Sequence, residues 1–514
     1  MTEKILHTKS FKNFFGISPT TDHTYVHLDF KIYDSSKIVP AQLEETKIYC
    51  SFRTCIWDYS NEWEDKLTGI RFIKYGNQQW DTKLIGDQAL SDIGCALAKY
   101  SKLKKLLLNL NSNEVGHYGT QDLLIELANC AHLTTLILDL GSNKVRNQGL
   151  IRLCSALPNC SNLSTISINL RDNYIGDESM SSFNYLAKLN NLSNLTINLD
   201  KNQIGSIGYE NLICAIYQCS LQFLTLSLCN NKIGKQAFTD FQHELSNNLI
   251  VEHINLSLLN NCINEEGLIK IGKGLSQFKQ LSSLTLDIKY YYSYKAFSGL
   301  CTILADCSNL RFLKLFLWYP DNEQFELFSS IGKLVSISEL ELNLECLQIN
   351  DSDISYLGFV IQKLSKLQNL GLYLKGNIIG EEGVISLCES LAQCSKLSRL
   401  ALDLENNKIN RNSVQLLSSK LTDLNNLSTL QICIDNNTLH VLNTLINCNH
   451  FSTLAIKGGY SLLQNESLLS NLKFKNNNLR VLIFDIQYQS SINHDALKFK
   501  LYKLKRAVHI KFKQ

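Results

Sequence analysis

The stretch LTTLILDLGSNKV at 133–145 is rewritten along the chain as LSTISINLRDNYIG (163–176), LSNLTINLDKNQIG (192–205) and LQNLGLYLKGNIIG (367–380). The shared frame is L-x-x-L-x-L-x-L-x-x-N-x-[IV], and it returns about every 29–30 residues, a period that marks a solenoid of stacked units. No single unit of that size buries its own apolar face, so neighbours must share one core. The alternating L-x-L-x-L portion has period two and predicts a short strand. A turn ending in Ile-Gly follows, and then a helix: Val384, Leu387, Cys388 and Leu391 fall on one helical face, as do Leu150, Leu153, Cys154 and Leu157. Each unit therefore reads as strand, turn, helix, with the strands in a parallel sheet.

Unit starts run from Leu67, Leu103 and Leu133 to Phe451 and Leu479, which gives about fifteen repeats. Asn113, Asn143, Asn173, Asn202, Asn231, Asn261, Asn377, Asn407 and Asn437 hold one position in the frame. An amide there carries both donor and acceptor, so it can satisfy backbone groups that the bend leaves unpaired. Units starting at Leu281, Leu310 and Ile337 have Tyr291, Pro320 and Leu347 at that position instead.

These motifs resemble the leucine-rich repeat family, and the long helical units resemble its ribonuclease-inhibitor-like subclass. The resemblance covers roughly 67–512. It implies an α/β horseshoe with parallel strands on the concave face and helices on the convex face. One departure is an extra L-x pair in the frame, which adds roughly 7 Å of strand height, so the family's usual curvature is not carried over.

Residues 1–66 break the period. TYVHLDFKIY (24–33) and KIYCSFRTCIW (47–57) alternate like half-buried strands, so 1–66 is expected as an N-terminal cap or a small module, ahead of a solenoid with its C-terminal cap over 67–514. The end of the chain is basic, from Lys498 to Lys513, over a helical stripe of Leu497, Leu501, Leu504 and Val508. It reads as a solvated capping face, with an anion-binding tail as the other reading.

A net charge of +3 over 514 residues gives no general case for nucleic acid. No window approaches the apolar length of a membrane span, and the opening MTEKILHTKSFKNFF lacks the apolar core of a secretory signal. Seventeen cysteines occur without a C-x-x-C pair. Cys154, Cys214, Cys301 and Cys388 fall within predicted helices, and Cys130, Cys160, Cys307, Cys394 and Cys448 lie three residues before the next repeat. That placement suits reduced, packed thiols and a cytoplasmic location. No phosphate-binding loop, kinase signature, H-E-x-x-H or G-x-S-x-G is found, and no catalytic residue, cofactor or metal is expected.

Between the buried leucines, two columns should face the concave side. One includes Asn109, Asp139, Asn169, Asn198, Phe316, Asn343, Tyr373, Asp403 and Cys433, and the next includes Arg171, Trp318, Glu345, Lys375, Glu405 and Asp435. Aromatics enter at the irregular units and acids collect after them. The expected protein-binding surface is therefore Tyr290, Tyr291, Tyr292, Phe316, Trp318 and Tyr373, with Glu345, Asp403, Glu405 and Asp435, together with Glu341, as an acidic rim for a partner with a basic segment. The plainer reading, that these rings fill space left by irregular units, stays open. The function expected is a non-catalytic scaffold or adaptor whose partner is a protein. Two alternatives remain. The resemblance extends to GTPase-activating proteins of the Ran class, for which Arg171 is an available residue, although their acidic tail has no counterpart here. A weaker alternative is a substrate receptor of a ubiquitin ligase, which needs an adaptor-binding helix pair that 1–66 does not show.

Overall fold

The computed structural model describes residues 86–98, 103–234, 250–261, 263–288, 294–317, 324–434, 444–445, 447–458, 478–479 and 481–486, with the short strands Ile5–Thr8, Tyr25–Leu28, Lys47–Cys50 and Ile70–Phe72. The chain divides into two compact units, Met1–Ile263 and Asn264–Gln514. Both have the α/β fold of a leucine-rich repeat solenoid.

In the first unit the strands Ile70–Phe72, Lys105–Asn109, Thr135–Asp139, Thr165–Asn169, Asn194–Asn198, Phe223–Ser227 and His253–Ser257 pair in chain order, all parallel. Helices Asp87–Leu97, His117–Leu127, Arg146–Ala156 and Ser206–Tyr217 alternate with them, and Asp177–Lys188 takes 3-10 form. Ile5–Thr8, Tyr25–Leu28 and Lys47–Cys50 form a separate parallel sheet in that order. Two of these three strands fall in the stretches that the alternation of 24–33 and 47–57 predicts.

The second unit repeats the pattern with strands Ser283–Asp287, Phe312–Phe316, Glu339–Asn343, Asn369–Tyr373, Arg399–Asp403, Thr429–Ile434, Thr453–Gly458 and Val481–Ile486, again parallel and in chain order. Its helices are Glu265–Ser276, Tyr294–Ala305, Gln324–Ile331, Asp351–Ile361, Glu381–Ala392 and Arg411–Thr422. The basic tail at 497–513 lies outside the described residues.

The period-two pattern appears directly as burial. Leu340, Leu342 and Leu344 are fully buried, and so are Leu136 and Leu140, while the residues between them are mostly half-buried on the helix-free face. Each buried leucine contributes about 1.5–3 kcal/mol relative to exposure. The register stacks like on like, with Leu313, Leu340, Leu370 and Leu400 in one line across four strands.

The asparagine column is a hydrogen-bonded ladder. Asn202 Nδ2 donates to the carbonyls of Leu170 and Leu199, both at 2.9 Å, and its Oδ1 accepts the N–H groups of Asn173 and Ile175. Asn143, Asn231, Asn261, Asn377 and Asn407 each join their own turn to the preceding one in the same manner. Asn437 lies outside the described residues. The residue just before each ladder position turns through left-handed backbone: Ser112, Ser142, Asp172, Lys201, Asn230, Asn260, Cys346, Gly376 and Asn406 all have positive φ. Where Leu347 replaces asparagine, it is buried, and Asn377 of the next turn accepts the N–H groups of both Leu347 and Ile349.

A second link joins successive helices. Asp351, opening one helix, accepts the N–H of Gly380, which precedes the next helix, at 2.5 Å. Asp87 does the same for Gly116, and Asp177 for Gly205. The helix three residues further on must then pass close by. A Cβ on Gly383 would meet Ile354 Cγ2 at 2.7 Å and Asp351 Cα at 3.0 Å, which explains the paired glycines of VGHYG, IGSIG and IGEEG.

Cys130, Cys154, Cys160, Cys301, Cys307 and Cys388 are buried free thiols, and Cys394 is half-buried. Burial pushes the thiols of Cys154, Cys301 and Cys388 up to about 12. They pack as small apolar side chains, as their positions on the helical stripe predict.

Candidate functional site

The helix-free face of the second unit carries the residues that the core does not use. Strand register fixes two rows on it: Lys314, Glu341, Gly371, Ala401 and Gln431 in one, and Phe316, Asn343, Tyr373, Asp403 and Cys433 in the next. Directly paired positions on neighbouring parallel strands lie within reach of each other's side chains. Lys314 Nζ is 2.6 Å from Glu341 Oε2, and it also sits 5.2 Å from the ring centre of Phe316 and 5.9 Å from that of Tyr373. Two aromatic faces and a carboxylate thus surround one ammonium group.

Gly371 makes room for this group. A Cβ there would approach Glu341 Cγ at 3.0 Å and Tyr373 Cε2 at 3.5 Å, so the missing side chain leaves a recess into which the carboxylate and ring lean. Burial pushes the Tyr373 phenol up to about 12, and the negative charges of Glu341 and Asp403 add to the effect.

The acids of the rim sit at the strand exits. Asp403 Oδ1 accepts the N–H of Glu405 at 3.1 Å, and Asn343 Oδ1 accepts that of Glu345 at 3.4 Å. Glu405 is held from two sides, by Lys375 Nζ at 2.7 Å on Oε2 and by the Cys433 thiol at 3.0 Å on Oε1. Burial raises the Asp403 pKa, opposed by the Glu405 N–H, while the charges of Glu405 and Glu345 push the same way as burial. The hydrogen bond to Glu405 raises that of Lys375.

Of the residues expected at the surface, Phe316 and Tyr373 converge on Lys314, and Glu345, Asp403 and Glu405 lie beside them. Trp318, Tyr290, Tyr291, Tyr292 and Asp435 lie outside the described residues. The polar column has a structural role as well. Asn109, Asp139, Asn169 and Asn198, like Asn343 and Asp403, spend a side-chain oxygen on the N–H two residues on, closing the strand exit. One side-chain oxygen of each thus closes a turn, and the other side-chain atom still faces outward from the strand. Arg171 is half-buried, and its N–H is the one that Asn169 accepts, at 3.1 Å. Lys314, Gly371 and the contact of Cys433 with Glu405 were missed, although counting equal positions through the repeat frame would have set Lys314 beside Glu341 and Asp403 beside Cys433.

No family model matches this sequence, and no curated protein does. Among solved structures, the chain is similar to the yeast Rad7–Elc1 complex structure at 15% identity, covering 80% of this chain and 82% of that one with a TM-score of 0.38. It is also similar to internalin C2 of Listeria monocytogenes at 18% identity, covering 54% of this chain and 83% of that one with a TM-score of 0.26.

Proposed function

We propose that this protein is a non-catalytic scaffold that docks a protein partner on the helix-free face of its second unit. The observation that carries this reading is the cluster of Phe316, Tyr373, Lys314 and Glu341 over the Gly371 recess. A rigid parallel wall presents large side chains at little entropic cost, and half-buried aromatics with charged neighbours are the residues from which interface energy is concentrated. The acids at 345, 403 and 405 favour a partner with a basic segment, and they also orient its approach. Glu341 and Glu405 already hold Lys314 and Lys375, so a basic partner competes with two internal lysines and gains most from the aromatic surface. The buried, protonated thiols suit a reducing compartment, which supports a cytoplasmic reading. Among the described residues no helix is long and apolar enough to cross a membrane. The ribonuclease-inhibitor-like subclass is part of the same proposal, supported by the helix in nearly every described repeat.

The test is proximity labelling in cells with the wild type and a Phe316→Ala/Tyr373→Ala variant. Proteins labelled by the wild type and lost from the variant, at equal expression and equal melting temperature, support the surface. Identical labelled sets count against it.

A further inference from the structure

Asp403 and Cys433 are direct register partners on adjacent strands, and Glu405 lies two residues beyond Asp403. One ligand atom from each of the three lies within 4.8 Å of the others. We propose that Asp403, Glu405 and Cys433 form a binding site for a divalent transition metal of the zinc class. Tetrahedral zinc bonded at about 2.3 Å to sulfur and about 2.0 Å to oxygen needs its sulfur and oxygen about 3.5 Å apart. Cys433 Sγ and Glu405 Oε1 are 3.0 Å apart, so a shift of about half an ångström admits the ion between them.

The surroundings fit this assignment. Lys375 grips Oε2 of Glu405 and leaves Oε1 toward the thiol, which is the outer contact a ligating carboxylate requires. Two carboxylates, one thiolate and the Lys375 ammonium leave a deficit of two positive charges, which a divalent ion supplies. Cys433 is 6% exposed, so the ion sits at the base of the face rather than loosely on it. The thiol selects zinc-like ions over magnesium or calcium. A cysteine near an acid does not suffice. Among the described residues of the first unit only one carboxylate, Asp200, meets Cys229 and its neighbours, where Ser227 and Ser257 hydroxyls lie by the sulfur in place of a second acid. On binding, the Cys433 S–H bond breaks, sulfur bonds to the metal, and the proton passes to buffer. Three protein donors leave a fourth position for water or for a donor from a docked partner.

The probe is Co²⁺ titrated into the full chain under anaerobic conditions, watched by the near-ultraviolet thiolate-to-cobalt absorption, with Zn²⁺ as competitor. The expected result is one Co²⁺ per chain that Zn²⁺ displaces. This signal disappears in Cys433→Ser and weakens at least tenfold in Glu405→Gln, with circular dichroism unchanged. Should Cys433→Ser misfold, Asp403→Asn is read in the same assay. Phe316→Ala/Tyr373→Ala should retain Co²⁺, which separates this site from the docking proposal. No stoichiometric binding by the wild type, or equal binding by Cys433→Ser, overturns it.

Discussion

Asn377 accepts the backbone N–H of Leu347, thirty residues earlier, at 2.9 Å. Leu347 stands where most described turns place an asparagine, yet the following turn's amide accepts its N–H just as Asn202 accepts that of Asn173. The same Asn377 also accepts from Ile349 and donates to the carbonyls of Leu344 and Leu374. A lapse in the sequence motif is therefore not a break in the ladder.

Asn377→Ala should therefore be costly even beside a turn that lacks its own asparagine. It leaves two buried N–H groups and two buried carbonyls without this partner, where each orphaned group costs about 1–3 kcal/mol. A drop of at least about 2 kcal/mol in urea denaturation is expected. An unchanged midpoint would show that the turn satisfies its backbone by another route.

The glycine pairs give a matched test of the inter-helix link. At Gly383 an added Cβ meets side-chain and backbone atoms at or below 3.0 Å, whereas at Gly176 the nearest atom, on Asn147, is 3.7 Å away. Gly383→Ala should destabilise by about 1–3 kcal/mol, the usual cost of overpacking, and Gly176→Ala should stay near wild type. Equal melting temperatures for the two variants would contradict the close approach.

The thiols give a pH signature. The folded-state pKa values of Cys154, Cys301 and Cys388 are near 12 against an ordinary 9.0, so the unfolded chain loses these protons first as pH rises. Stability from this source is intact below about pH 9 and falls between about pH 9 and 12. Alkylation at pH 8 should modify exposed Cys346 while sparing these three until denaturant is added. Native-state labelling of Cys301 at the rate of Cys346 would refute the burial.

Much of this structure was legible in the sequence because one signal was written many times. The strands, the asparagine ladder and the apolar helix stripe each follow from a position in the frame. The site was legible only in part. Phe316 and Tyr373 stood out as large side chains on an outward column, but that Asn343 and Asp403 also close their own strand exits did not. Whether a short polar side chain turns back to its backbone depends on turn geometry, which residue type alone does not report. Gly371 illustrates the reverse difficulty, since a recess is visible only once its neighbours are seen leaning into it.

The central claim, that the Phe316–Tyr373 surface docks a protein partner, is tested most directly by calorimetry with a purified partner identified by the labelling experiment. Wild type, Phe316→Ala/Tyr373→Ala and a control on the first unit, Phe223→Ala, are titrated at low and high salt. Phe223 is itself an exposed aromatic, stacked on His253, so the control removes comparable surface. The double variant should lose at least about 2 kcal/mol of binding, roughly thirtyfold in Kd, with unchanged melting. The control should bind as wild type, and wild-type affinity should weaken with salt. Equal affinity for wild type and the double variant, or loss confined to Phe223→Ala, would contradict the account.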